Sequence, residues 1–198
     1  MMRGLLVLIL GLLAVPAMAQ TAPTPSPNPR VALETTAGRI IVEVEAAKAP
    51  ITARNFLRYV AAKRLDGILF YRTVKVQDRF GFVQFGVQNA PARMYPPIKH
   101  EPTSETGVTH VDGAISMPRL APGTARGEFT ISVGAQPSFD ASASDLGYAA
   151  FGRVVEGMDV VVKILDGAIS PTKTLQGSFK GEVPAAPVKV LSARLVTP

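Results

Sequence analysis

The chain has 198 residues, among them 17 Gly, 17 Pro and no Cys, and carries a formal net charge of +6. That length suits one domain with a single sizeable core, and the lack of Cys excludes disulfides, thiol nucleophiles and cysteine metal sites. The Lys and Arg residues are scattered rather than gathered into the basic runs that mark nucleic-acid binding, so no nucleic-acid partner is expected and the positive balance points to solubility or to anionic envelope components.

Residues 1–19 read as an export signal. Arg3 supplies the positive start, Leu5 to Val15 an apolar run, and Ala17-Met18-Ala19 a small-residue cleavage site. Cleavage is predicted after Ala19, which leaves Gln20 at the new terminus and, with Arg3 gone, a net charge of +5. The apolar run falls short of the about 20 residues that span a bilayer, which makes a membrane anchor the lesser reading. With no Cys to acylate, attachment as a lipoprotein is excluded. The expectation is a periplasmic or secreted protein with no stable membrane insertion.

Residues 20–30 form a Pro-rich linker, with Pro23, Pro25, Pro27 and Pro29 alternating with small polar residues. Such a segment favours extended polyproline II and cannot build a core, so it reads as a tether; the alternative is a docking site for a proline-recognition domain. The domain proper is expected over 31–198.

Val31 to Thr35 and Arg39 to Val44 read as two strands joined by a hairpin turn at Ala37-Gly38. Pro50 opens a helix at its tolerated first-turn position, and Ile51, Phe56, Leu57, Val60 and Ala61 recur at helical spacing through Lys63. Asp66-Gly67 turns the chain into a strand from Ile68 to Val74. Further strands are expected at Phe82 to Phe85, Ala114 to Met117, Phe129 to Val133, Ala149 to Val155 and Val188 to Leu195, with a second helix after Glu156-Gly157 carrying Met158, Val161, Val162 and Leu165 on one side. Many short strands with two helices predict a mainly β fold: a closed eight-stranded antiparallel barrel, which removes sheet edges, capped by the two helices.

The stretch from Gly147 to Val161, reading GYAAFGRVVEGMDVV, resembles the late strand and second helix of cyclophilins, the prolyl cis-trans isomerases. Pro96 to Glu101, Gly113 to Met117 and Pro187 to Ala193 are similar to the exported bacterial branch of that family. The resemblance covers roughly Val31 to Leu195 and implies the cyclophilin barrel, prolyl isomerase activity without a cofactor, a monomer, and proline-containing segments of unfolded or exported proteins as partners.

Rotation about an X-Pro bond faces a barrier of about 18–20 kcal/mol set by amide resonance. No acid, base or nucleophile is needed. The catalyst must grip the proline ring, hold the neighbouring carbonyls and stabilise the twisted state, in which the imide nitrogen regains a lone pair. A guanidinium suits the last task because it is always charged and presents its donors in a fixed fork. The family places this arginine in a Phe-His-Arg triplet, matched here by Phe70-Tyr71-Arg72. Simple strand alternation would turn Tyr71 away from the face of Arg72. The family's glutamine is matched by Gln84, twelve positions on rather than the usual eight; the extra residues fall in Thr73 to Phe80 and are expected to lengthen the turn between two strands. Gln84 would offer amide donors to a backbone carbonyl and brace the guanidinium.

The same resemblance implies a substrate-binding set of Phe82, Pro118, Arg119, Glu128, Thr130, Phe139 and Tyr148. Gly81 falls at a family pocket phenylalanine, with Phe80 one residue away. Glu128 replaces an amide and is expected to pair with Arg72 or Arg126. Thr130 stands where an aromatic normally floors the proline pocket; a buried Phe is worth about 1.5–3 kcal/mol, so its absence should weaken the grip on proline and reduce activity. Ser138 replaces a further aromatic, and Phe139 or Phe82 could refill part of the space. Pro118 lacks the N–H that the matching family residue has. His100 and His110 are the only histidines, and no metal site is expected from them; Asp140, Ser142 and Ser144 read as a polar loop rather than a hydrolase triad. The competing reading from another class is a non-catalytic proline-peptide binding or chaperone module on the same fold, favoured by Thr130 and Ser138, as Arg72 and Gln84 favour the enzyme. A small-molecule-binding barrel is the weakest alternative, since small barrels fill their interiors with side chains.

Overall fold

Apolar residues at alternating positions and β-branched runs produce eight strands, and a computed structural model describes residues 28–88 and 90–196 of the chain. The expected signal segment, and most of the Pro-rich linker, lie outside those residues. The strands are β1 (Arg30–Thr35), β2 (Gly38–Val44), β3 (Leu69–Gln77), β4 (Phe80–Gly86), β5 (Ala114–Met117), β6 (Glu128–Val133), β7 (Ala149–Glu156) and β8 (Val190–Val196). They pair antiparallel in the order β3-β4-β6-β5-β7-β2-β1-β8. The sheet curls until its end strands meet: Leu69 bridges Lys189, and Val190 donates to the Ile68 carbonyl at 2.8 Å. The seam is short, so the barrel is closed by a few bonds and by the connection from Asp166 to Lys189, not by a full ladder.

The inner face is apolar. Phe56, Phe70, Phe85, Phe129 and Phe151 are all fully buried there, with Phe56 meeting Phe129 edge-on at 5.1 Å between ring centres. Phe56 reaches the barrel from α1 (Pro50–Ala61), whose first turn has no side-chain cap of its own. The buried Glu101 carboxylate does that work from a distance, accepting from the backbone N–H groups of Ile51 (3.1 Å) and Thr52 (2.7 Å) and from the Thr52 hydroxyl (2.7 Å). A negative charge over a helix N-terminus satisfies orphan donors and complements the helix dipole. A one-turn helix, α2 (Thr103–Thr106), follows Glu101 and was not expected from the sequence. The helix α3 (Met158–Leu165) buries Val161, Ile164 and Leu165 against the sheet. Among the described residues no helix is long and apolar enough to cross a membrane.

The extra residues between Thr73 and Phe80 do not lengthen the turn as expected. They lengthen the strands: β3 runs on to Gln77, β4 starts at Phe80, and only Asp78 and Arg79 remain as the turn. The hairpin can close this tightly because Gly81 brings the two backbones together. Its φ is +154°, and a Cβ there would lie 2.0 Å from the Val74 carbonyl oxygen. Only glycine fits such an approach.

Candidate active site

Antiparallel register places Arg72 opposite Gln84, Gln84 opposite Thr130, and Thr130 opposite Ser116. Residues paired across strands share a face, so these four form one row on the outer side of β3, β4, β6 and β5. The Arg72 Nη1 donates to Gln84 Oε1 at 3.1 Å. The sequence-predicted catalytic pair is therefore in direct contact.

Tyr71 corrects the simple strand reading. Phe70 pairs with Phe85 and Arg72 with Gln84, so Tyr71 is the extra residue of a β-bulge. A bulge breaks the two-residue alternation, and Tyr71 turns to the side of Arg72 instead of away from it. Its hydroxyl accepts from Gln84 Nε2 at 2.7 Å and donates to a Glu128 carboxylate oxygen. The other Glu128 oxygen accepts from the Gln88 backbone N–H at 2.8 Å. Burial, then the Glu128 charge, pushes the Tyr71 phenol far above its ordinary range, so it remains a donor. The result is a chain from Arg72 through Gln84 and Tyr71 to Glu128. It fixes the amide of Gln84 with its oxygen toward the guanidinium.

The carboxylate on Arg72 is not Glu128, as expected, nor any residue the sequence pointed to. It is Glu182, whose Oε2 accepts from Arg72 Nε at 2.6 Å. Two rings flank the guanidinium carbon, Phe179 at 4.2 Å and Phe82 at 5.1 Å from ring centre. Glu182 stands 110 positions from Arg72. No local spacing links the two; the only signal was that an edge strand such as β3 needs something to cover it.

An aromatic wall continues from Phe82, whose ring meets Phe139 edge-on at 5.6 Å, and Phe139 lies 5.2 Å from Tyr148. Phe80 does not join it; that ring packs over Gly134, where a Cβ would come within 2.7 Å. Ser138 is exposed and adds no apolar surface. The floor is polar and closed on itself: Thr130 and Ser116 hydroxyls bond at 2.8 Å, both fully or almost fully buried. Arg119 is committed elsewhere, donating to the Gly147 carbonyl at 2.8 Å and to Asp145 at 2.5 Å, which ties the Pro118–Arg119 segment to the loop ahead of Tyr148. Leu120, next along, is 97% exposed beside it.

His110 supports the wall from behind. The His110 Nδ1 lies 2.6 Å from Asp140 Oδ1, and its ring meets Phe139 at 5.7 Å. Among the described residues no three His, Cys, Asp or Glu side chains gather as a metal-binding group. A separate groove lined by Pro91, Met94, Tyr95, Pro96, Pro97 and Arg126 shares no residue with the Arg72 row.

Comparison with known proteins covers nearly all of the described residues. Residues 30–195 match the family model of cyclophilin type peptidyl-prolyl cis-trans isomerases. A peptidyl-prolyl cis-trans isomerase of Acinetobacter baylyi is 36% identical over 171 residues, covering 85% of this chain and 86% of the relative. Peptidyl-prolyl cis-trans isomerase A of Dickeya dadantii is 33% identical over 184 residues, covering 91% and 89%. Among solved structures, a cyclophilin type isomerase of Cryptosporidium parvum superposes with a TM-score of 0.69 at 16% identity, over 86% of this chain and 99% of its own; that protein was also crystallised in the presence of the dipeptide Ala-Pro.

Proposed function

The chain belongs to the cyclophilin type peptidyl-prolyl cis-trans isomerase family, and from that premise we propose that it acts, as a monomer and without a cofactor, on proline-containing segments of unfolded exported proteins. The observation that carries the reading is the bonded pair of Arg72 and Gln84 beside the Phe82, Phe139 and Tyr148 wall.

In the proposed mechanism the proline ring rests against Phe82 and Phe139. A free N–H of Gln84 Nε2 holds the carbonyl of a neighbouring residue. The Arg72 fork donates to the imide nitrogen once twisting has localised its lone pair. Because that bond is absent from the planar ground state, it lowers the barrier instead of merely tightening binding. The dipeptide Ala-Pro used with the structural neighbour is of the same chemical class as the proposed substrate.

Reduced turnover is part of the proposal. The Ser116 hydroxyl bonds to that of Thr130, which in turn faces the Ser116 carbonyl at 3.4 Å, so the floor offers the ring neither an aromatic face nor a free donor. The same observation favours the second reading, a proline-peptide binding or chaperone module. Exchange NMR on one X-Pro peptide separates them: line broadening or cross-peaks at catalytic enzyme concentration support the isomerase. Saturable binding with no acceleration of exchange would leave the binding module.

Export is proposed from Arg3, the apolar run Leu5 to Val15 and the Ala17-Met18-Ala19 site, together with the Pro-rich segment that follows.

A further inference from the structure

We propose that the turn from Phe179 to Glu182 is a working part of the isomerase site, with Glu182 and Phe179 as positioning residues for Arg72. This rests on the reading of Arg72 as the catalytic guanidinium.

A guanidinium has five N–H donors in one plane. Here Nε is taken by Glu182 at 2.6 Å and one Nη1 donor by Gln84 at 3.1 Å. Two bonds in that plane fix its orientation, and the rings of Phe179 and Phe82 fix its faces. Among the described residues Nη2 donates to nothing, so the tip of the fork stays open while its stem is held. A carboxylate on Nε is the arrangement that orients the group without covering the edge that would reach an imide nitrogen. Had Glu182 sat bidentate on the two Nη atoms, it would have sealed the site.

The turn is itself built for this placement. Glu182 N–H donates to the Phe179 carbonyl at 3.0 Å, and Phe179 and Gly181 adopt left-handed φ values of +59° and +81°. Left-handed backbone at a non-glycine residue is uncommon and is sustained only where its surroundings demand it. The Glu182 carbonyl accepts from Thr73 N–H at 2.9 Å. The turn is thereby locked to the residue following Arg72, and the carboxylate and the guanidinium move as one unit. Nor is this an exposed surface pair of the kind worth little: the Arg72 and Glu182 side chains are 21% and 31% exposed, and the guanidinium also stacks on the Phe179 and Phe82 rings.

The test uses Glu182→Ala, Glu182→Gln, Phe179→Ala and Arg72→Ala in the full mature chain, each first checked for the parent's melting temperature. Exchange NMR gives kcat and KM on one X-Pro peptide, and the arginine Nε–H resonance of Arg72 reports its order. Glu182→Ala is expected to lower kcat roughly tenfold to a hundredfold, as misplacement of a reacting group does. KM should stay near the parent's, and the Arg72 Nε–H signal should broaden. Glu182→Gln, whose amide oxygen can still accept from Nε, should restore part of the rate, and Phe179→Ala should fall between. If Glu182→Ala turns over as fast as the parent while Arg72→Ala does not, the positioning role is wrong and the catalytic reading of Arg72 stands. If it turns over faster, the turn competes with substrate, which also overturns the proposal. If Arg72→Ala retains full rate, both fall together.

Discussion

At Tyr71 a phenol hydroxyl holds the half-buried Glu128 carboxylate on one side and the Gln84 amide on the other. Tyr71→Phe removes both bonds while keeping the ring. An unsatisfied buried donor or acceptor costs about 1–3 kcal/mol, so the variant should lose that much stability in urea titration, with the slope of the transition unchanged. It should also turn over more slowly, because Gln84 becomes free to rotate. A variant as stable and as fast as the parent would mean that Glu128 and Gln84 find other partners. The identities of Arg72 and Gln84 were legible from the sequence, because residue type and order survive a change in hairpin length. The orientation of Tyr71 was not. Counting by twos assumes an unbroken ladder, and a bulge leaves no mark of its own in a run of apolar and aromatic residues. Glu128 was read as a partner for arginine on charge alone; geometry gives it to a tyrosine and a backbone amide.

Single elements depend on contacts that local pattern does not reveal. Strand and helix positions in the core were readable from periodicity, and both long helices begin where Pro50 and Gly157 mark them. The cap of α1 was not readable, because Glu101 lies 49 positions after Thr52. The β3–β4 hairpin makes the same point: inserted residues suggested a longer loop, yet Gly81 lets the strands continue. Gly81→Ala should therefore destabilise the domain by about 1–3 kcal/mol from backbone strain alone, and more from the clash with the Val74 carbonyl; an unchanged melting temperature would contradict the close approach. A pH dependence follows at the wall. Burial lowers the His110 pKa below its ordinary value in spite of Asp140. The unfolded chain then binds the proton more readily than the folded one. Stability should be level above about pH 6.5, the ordinary histidine value, and should decline as pH falls below it, until the folded state is protonated too. His110→Asn should flatten that portion of a melting-temperature profile, and a parent profile already flat from pH 7 to 5 would contradict the assignment.

Across the whole molecule, the site draws on β3, β4, β5 and β6, on the loop before β7 and on a turn beyond α3, so no contiguous motif contains it. Sequence order located the strands; which segment would cover the β3 edge depended on how far the sheet curls, and Glu182 became visible only with that curl in place. Mass spectrometry of the cell envelope fraction should find a chain beginning at Gln20, cut after Ala19. A membrane-bound species retaining Met1 would contradict it.

In the proposed mechanism one guanidinium, braced by Gln84 and open at its tip, stabilises the twisted imide. Arg72→Ala tests it most directly. With folding confirmed by circular dichroism, exchange rates on one X-Pro peptide are compared with calorimetric affinity for the same peptide. An interaction made mainly in the transition state predicts a large loss of kcat/KM, on the order of a hundredfold as for other electrostatic stabilisers, with little loss of affinity. Arg72→Lys should be impaired too, since an ammonium keeps the charge but not the planar fork. Equal exchange rates for Arg72→Ala and the parent would contradict the account.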